Sequence, residues 1–331
     1  MQLNQFLLAV AIILPTISTT QADESPATTA DDINSAVVRS LPYIARRGQW
    51  WIDSKDCVSC HRTAFTIWTH AAAADAGIPV DAEQLNDWVD WSFEALLKKN
   101  DKDTIVATVN LDGVAQILHV TNSLPLTAMQ KEHRQKLLAY LTDGQTESGA
   151  WKPAGQLPMQ KRPASETEYV TTSWNRWLAV GSGLPKSTSS KAMAFLDQPI
   201  EFTSTESLVV DVLNAASDDT RVTAFDLIAA EQNEDGGFGW LRNGESDAIA
   251  TGQVLFAAAS LNDTKPFANV LDKATSFLLE TQEENGSWKV KGTKKNRLTK
   301  IQETATYWGT CWAVIGMLEL QKSRNAKAGQ Q

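Results

Sequence analysis

The chain has 331 residues, 43% of them hydrophobic, and 39 Asp and Glu against 30 Lys and Arg give a net charge of −9. The apolar share is ample for one large core or two ordinary ones, and an acidic balance with scattered basic residues excludes a nucleic-acid surface. Three cysteines are too few for a disulfide-built scaffold.

The N-terminus opens on an apolar run, Phe6 to Ser18, shorter than the ~20 residues that span a bilayer. Thr20-Gln21-Ala22 follows as a small-x-small pattern, so residues 1–22 read as a signal peptide, although Met1 to Gln5 carries no Lys or Arg. Residues 23–34 are polar and read as a linker. No later segment is apolar and long enough to span a membrane, so the expectation is an exported, periplasmic protein without a membrane span after cleavage.

Cys57-Val58-Ser59-Cys60-His61 comes next. Two thiols at this spacing can add across the vinyl groups of a haem, and the adjoining imidazole then ligates the iron. Cys57, Cys60 and His61 are thus candidate ligands of one covalent haem c, with His61 proximal. A local disulfide and a zinc half-site are the alternatives. Zinc would need a fourth ligand, and no second Cys/His pair stands at finger-like spacing. His70 lies nine residues beyond His61, about 13 Å along an unbroken helix, too far to take the other side of the same iron. That leaves Met129, His119, His133 or an open position. Leu124 to Met129, followed by the helix Glu132 to Leu141, resembles the end of a small cytochrome c, and this resemblance makes Met129 the candidate distal ligand.

Beyond the motif, helix formers dominate and period-two alternation is rare, which predicts an all-α chain. Three segments share one pattern: Gln145 to Trp151, Gln232 to Phe238 and Gln282 to Trp288 each place Gly four residues and an aromatic six residues after Gln. A helix ending near each Gln, a Gly turn and an aromatic lid predict stacked helical hairpins, five or six in all. Glu168, Asp247 and Glu303 stand nine residues before Trp177, Phe256 and Trp312, and each is expected to open an inner helix, where an acid suits the positive dipole end. Arg176 is a candidate partner for such an acid. The hairpin region is expected over 35–320, with 321–331 as a frayed, disordered tail.

These turns, best in Gln232-Asn-Glu-Asp-Gly-Gly-Phe-Gly-Trp240, resemble the QW repeats of squalene and hopene cyclases, related in architecture to protein prenyltransferases. The resemblance covers residues 130 to 320 well, and it implies an α/α toroid with inner helices around a central cavity. Cys57 to His61 with Phe65-Thr-Ile-Trp68, Gly77-Ile-Pro79 and Trp88-Val-Asp-Trp91 is similar to exported bacterial proteins that join a haem-binding motif to such repeats. Gly155-Gln-Leu-Pro158, Gln160-Lys-Arg-Pro163 and Glu166 fit the same group.

Chemistry of the wider family is only partly supplied. The cyclases' D-x-D-D-T-A acid element has its nearest counterpart in Ala216-Ser-Asp-Asp-Thr-Arg221, where Ala216 and Arg221 replace two of its residues and the position suits a helix cap. Cys311 has no Asp or His placed as in a prenyltransferase zinc site and reads as core. The expected function is electron transfer or another haem-dependent redox role, with an unidentified redox partner and an apolar small molecule as candidate ligand. The alternatives are an isoprenoid cyclase or prenyltransferase-type enzyme, which an acid deep in an aromatic cavity would favour, and a non-catalytic binding scaffold with a Cys57–Cys60 disulfide.

Overall fold

The computed structural model describes residues 29–55, 58 and 62–328. Among them are twelve α-helices: α1 (Ala30–Lys55), α2 (Thr63–Asp75), α3 (Ala82–Leu97), α4 (Leu111–Val120), α5 (Ala128–Asp143), α6 (Ala164–Val180), α7 (Lys186–Leu196), α8 (Thr205–Asn214), α9 (Asp218–Ala229), α10 (Ala248–Ala258), α11 (Ala268–Thr281) and α12 (Glu303–Ala328). Extended pairing among the described residues is confined to isolated bridges, such as Gln160 with Lys294. Even-numbered helices pack in sequence from α2 to α12, and α12 returns against α2. The odd-numbered helices lie outside them. The chain is an α/α toroid of six hairpins.

Sequence separates the two rings. Every residue of α10 and nearly every residue of α8 is buried, as helices walled in on all sides require. Outer α9 buries only Ala224, Phe225 and Ile228, and α5 only Gln130, Leu137 and Leu141. Two glycines bring α10 and α12 into close contact. A Cβ on Gly316 would stand 2.1 Å from the Gly252 carbonyl oxygen, and one on Gly252 2.4 Å from backbone atoms of Trp312.

The repeated turns are the joints of the ring. The Gln145 side chain donates to the carbonyls of Gly149 and, on α7, of Thr188, both at 2.9 Å. Gln232 does the same to Gly236 and to Val270 of α11, at 2.8 and 2.7 Å. Gln282 reaches Ala36 of α1 at 2.8 Å, so the last turn is stapled to the first helix and closes the circle. The aromatic amides of Trp151, Phe238 and Trp288 donate to Thr172, Thr251 and Thr310 on the following inner helix, at 3.0, 2.9 and 3.2 Å. Both turn tryptophans spend their indole N–H on a carbonyl of the preceding helix, Leu141 for Trp151 and Leu278 for Trp288.

Several boundaries differ from the expectation. Residues 321–328 are not a frayed tail but the last turns of α12, where Ser323 and Lys327 donate to the carbonyls of Ala259 and Leu261 beyond the end of α10. The linker set at 23–34 overlaps α1, which starts at Ala30 behind a Thr29–Asp32 cap. Glu168 does not open α6. Pro163, with φ fixed at −55°, starts that helix at Ala164, which makes Glu166 its first-turn acid. Arg176 pairs with Ser189 and Asn214 instead of an inner-helix acid. The expected surface cap at Ser217–Thr220 is present as a capping box at the start of α9.

The central cavity and the loop between α1 and α2

All six inner helices begin at the same end of the ring, and the segments leading into them crowd that end. Two of these segments, 144–163 and 282–302, pair across it: the Lys161 amide donates to the Thr293 carbonyl at 2.9 Å. Beneath them is a cavity of about 250 Å3, reached by the first turns of α2, α4, α8 and α12 and by the middle of α6 from Val170 to Leu178. Phe65, Trp174, Trp308 and Trp312 supply aromatic walls. Toward the far end of the ring the cavity is closed by an edge-to-face cluster. Trp68 meets Phe256 at 5.5 Å and His119 at 4.8 Å, and Trp177 meets Phe256 at 5.4 Å.

Five inner helices carry an acid at or near their start, and their partners differ. Glu303 takes Arg62 in a two-pronged pair, with Nη1 to Oε1 at 3.0 Å, and also takes Arg47. Burial would raise the Glu303 carboxyl, but these guanidinium groups hold it below the usual range. Asp247 caps α10 through the amides of Ile249 and Ala250, yet burial still pushes it up to about 6. Glu166 is fully buried, and burial alone would raise it. Ser207, Thr203 and the amides of Ser204 and Thr203 outweigh that and keep it ionised. Glu206 pairs with Arg162 at 2.8 Å, both nearly inaccessible, and accepts the Trp174 indole N–H at 3.0 Å.

Asp112 is the fifth, and its setting is different. It lines the cavity from the first turn of α4, and burial pushes its carboxyl up to about 7, against lowering contacts from its own amide, Ala154 and Asn175. Beside it on α6, Asn175 is 1% exposed and close enough to lower the Asp112 carboxyl, yet neither of its amide atoms reaches full hydrogen-bond geometry with a protein group among the described residues. The same holds for the Thr171 hydroxyl and the Trp312 indole N–H, which also line the cavity. Asp112 is the acid in an aromatic cavity for which the D-x-D-D-T-A comparison had no residue.

Cys57, Cys60 and His61 lie outside the described residues, as do residues 1–28. What is described is their flanks. Val58 is fully buried, and its carbonyl accepts from Asn110, the N-cap residue of α4. Arg62 is also fully buried, its guanidinium 4.4 Å from the Tyr307 ring centroid and 3.4 Å from the hydroxyl of cavity-lining Thr304. Val58 within the motif and Arg62 just after it are thus both held at the end of the ring where the inner helices begin. Among the described residues no group of three or more His, Cys, Asp and Glu side chains could hold a metal, a count that leaves the motif's own thiols and imidazole out.

The candidate distal ligands are elsewhere. Met129 is 59% exposed at the start of α5, beyond the C-terminal end of α4, and is not brought near the described flanks. The ten residues of α4, about 15 Å of helix, separate that end from Asn110. His119 is held in the aromatic cluster between Trp68 and Trp177, and burial drops it to about 4, so it is neutral. His133 packs on Phe93 between α5 and α3. His70 sits within α2, unbroken from Thr63, with Nδ1 2.7 Å from the Thr66 carbonyl. Cys311 is fully buried core, its thiol pushed up by burial.

No family model matches the chain, and no curated protein matches it in sequence. Solved structures do match in fold. A glycosyl hydrolase of family 88 from Bacteroides vulgatus is 10% identical, with 90% of this chain and 99% of that one covered and a TM-score of 0.58. An unsaturated glucuronyl hydrolase from Bacillus sp. GL1, responsible for the degradation of glycosaminoglycan, is 12% identical over 88% of this chain and 97% of that one, at TM-score 0.55. The type II terpene cyclase MstE from Scytonema, in complex with geranylgeranyl dihydroxybenzoate, is 12% identical over 88% and 98%, also at 0.55. At these identities the likeness is one of fold.

Proposed function

We propose that this protein is an exported redox toroid that carries one covalent haem c and holds a small molecule in its central cavity. The supporting observation is one of placement. The sequence Cys57-Val58-Ser59-Cys60-His61 stands between α1 and α2 in the chain, and Val58 within it and Arg62 just after it lie at the end of the ring where the inner helices begin. The donor set suits the group: two thiols for the vinyl carbons and His61 as proximal ligand. Such a haem would supply one-electron chemistry. The chain's own residues do the rest. Asn110 holds Val58 within the attachment segment and Glu303 holds Arg62 after it, and the paired segments 144–163 and 282–302 cover part of the cavity mouth.

The test is expression in a host with a c-haem maturation system, followed by a haem stain of a denaturing gel and a reduced-minus-oxidised spectrum. Covalent haem that disappears in Cys57→Ala and Cys60→Ala supports the reading. Correctly exported protein without haem refutes it.

A second reading is favoured by a specific observation, Asp112 in the aromatic cavity. A buried carboxyl that retains its proton near neutrality is what acid-assisted chemistry on a bound substrate needs. The toroids of similar fold include glycoside hydrolases and a terpene cyclase, which agrees with an enzyme of that class. Loss of turnover in Asp112→Asn, with binding retained, would be its signature.

A further inference from the structure

The cavity has a polar inventory that selects among ligands. Asn175, Thr171 and Trp312 present an amide, a hydroxyl and an indole N–H, each at least nine-tenths buried and lacking a completed hydrogen bond among the described residues. Buried polar groups left unpaired are costly, so a hydrocarbon chain is a poor occupant. A quinone is also mismatched, because its carbonyls only accept, whereas the Asn175 Oδ1 needs a donor. Hydroxyl groups both donate and accept. The aromatic walls Phe65, Trp174 and Trp308 suit a ring with an apolar face. Charge bears on the ligand as well: within the buried wall Arg162 is neutralised by Glu206, and the other cations of the lining, Lys294 and Arg297, stand on the covering segment with Lys294 half-buried and Arg297 exposed. At about 250 Å3 the space lies below the ~300–1,000 Å3 of drug-sized sites and admits one ring.

We propose that the cavity binds a neutral, hydroxylated ring the size of a single sugar unit, with Asn175, Thr171 and Asp112 as its hydrogen-bonding partners and the tryptophans stacked on its face. Asp112 and the Asn175 amide stand beside one another on the cavity wall, a carboxyl next to an amide that carries both donors and an acceptor, and Thr171 lies one turn before Asn175 on α6. Glu206 faces Asp112 as a like charge from α8, and Lys294 and Arg297 approach from the covering segment. The inference deepens the reading of the cavity as the ligand site and does not depend on haem.

The test is titration of the exported, mature protein with methyl glucoside, methyl galactoside, methyl mannoside and methyl xyloside, followed by tryptophan fluorescence and by saturation-transfer NMR. Geraniol and a short-chain quinone serve as comparators. At least one glycoside is expected to bind, and Asn175→Leu to weaken it about tenfold or more, as loss of a buried hydrogen-bonding group does. Thr171→Val provides a milder variant should Asn175→Leu fail to fold. Binding of geraniol or quinone with no glycoside bound overturns the inference, as does glycoside binding indifferent to both substitutions or no binding by folded protein. The titration is repeated on Cys57→Ala/Cys60→Ala protein. Glycoside binding there with no haem in the parent chain refutes the redox reading alone, and haem without glycoside binding refutes this inference alone.

Discussion

Closure of the ring at Gly286 can be tested with a single methyl group. Gly286 has φ +80°, a conformation that costs an L-residue about 1–2 kcal/mol. A Cβ there would also stand 2.1 Å from the Arg39 carbonyl oxygen of α1, a backbone atom that cannot rotate away. Relief must come from moving α1 or the turn, and overpacking of this kind costs about 1–3 kcal/mol. Gly286→Ala is therefore expected to lose about 2–5 kcal/mol, which at about 2 °C per kcal/mol for a chain of this size lowers Tm by roughly 4–10 °C. Gly155 is the internal control, because its φ is +57° but no atom lies within 4 Å of its Cβ position. Gly155→Ala should lose only the conformational ~1–2 kcal/mol. Gly236→Ala, with its nearest atom at 2.8 Å, should fall between the two. Thermal and urea unfolding followed by circular dichroism measure all three. Equal losses at Gly286 and Gly155 would refute the claim that the last turn is clamped onto the first helix.

Asp112 titrates near pH 7 in the folded chain against an ordinary 3.8, so the folded state holds a proton that the unfolded state releases between those values. Its contribution to stability is full below about pH 4 and is lost as pH rises to 7. Asp112→Asn should remove that slope, so the variant gains on the parent with rising pH in urea titrations from pH 4 to 8. A difference independent of pH would contradict it. Arg162→Met leaves Glu206 charged and buried and is expected to cost about 3–5 kcal/mol, of which Arg162→Met/Glu206→Gln recovers part. No recovery in the double variant would show that the pair does not act as a unit. A chain ending at Leu320 loses the bonds from Ser323 and Lys327 to the Ala259 and Leu261 carbonyls, and should unfold with about 1–2 kcal/mol less stability. An unchanged midpoint would return residues 321–328 to the status of a tail.

The hairpins were legible where one residue type has one use. A Gln whose amide bridges its own turn and the next outer helix, a Gly at positive φ pressed onto that helix, and an aromatic that seals the turn leave a fixed spacing in the sequence. Three hairpins lack that signature, the first two and the one formed by α7 and α8. Other devices turn the chain there, such as Gly77 at φ +77° after α2 and the Asp81 cap of α3, which join the first hairpin to the second. Reading acids by spacing alone was less secure. Glu168 and Asp247 stand four residues before the threonines that receive the turn amides, Thr172 and Thr251, whereas Glu303 stands seven before Thr310. Thr306, three residues after Glu303 and one turn before Thr310, also serves the turn, accepting from the Val290 amide. One helical turn of slippage leaves the aromatic spacing looking the same, because Trp312 still reaches the central cluster.

The acid of the cavity was hidden for a different reason. In sequence, Asn110-Leu111-Asp112-Gly113 is an ordinary capped helix start, and a first-turn acid is explained by the dipole alone. The architecture changes that reading, since every inner helix begins at the end where the cavity opens. A first-turn acid on an inner helix therefore either finds protein partners or faces the ligand. Glu303 has two arginines, Glu166 has hydroxyls and amides, Glu206 has Arg162, and Asp247 has the amides of its own helix. Asp112 has only backbone contacts and Asn175, which itself has bonding capacity to spare. Elimination over the inner-helix starts thus singles out one carboxyl once the hairpin alternation is known, and the surface pair Asp218–Asp219 falls away because α9 is an outer helix. The rule depends on knowing which helices face inward. That follows from the hairpin count, and the count in turn rests on the three hairpins, α1–α2, α3–α4 and α7–α8, whose turns carry no repeat signature.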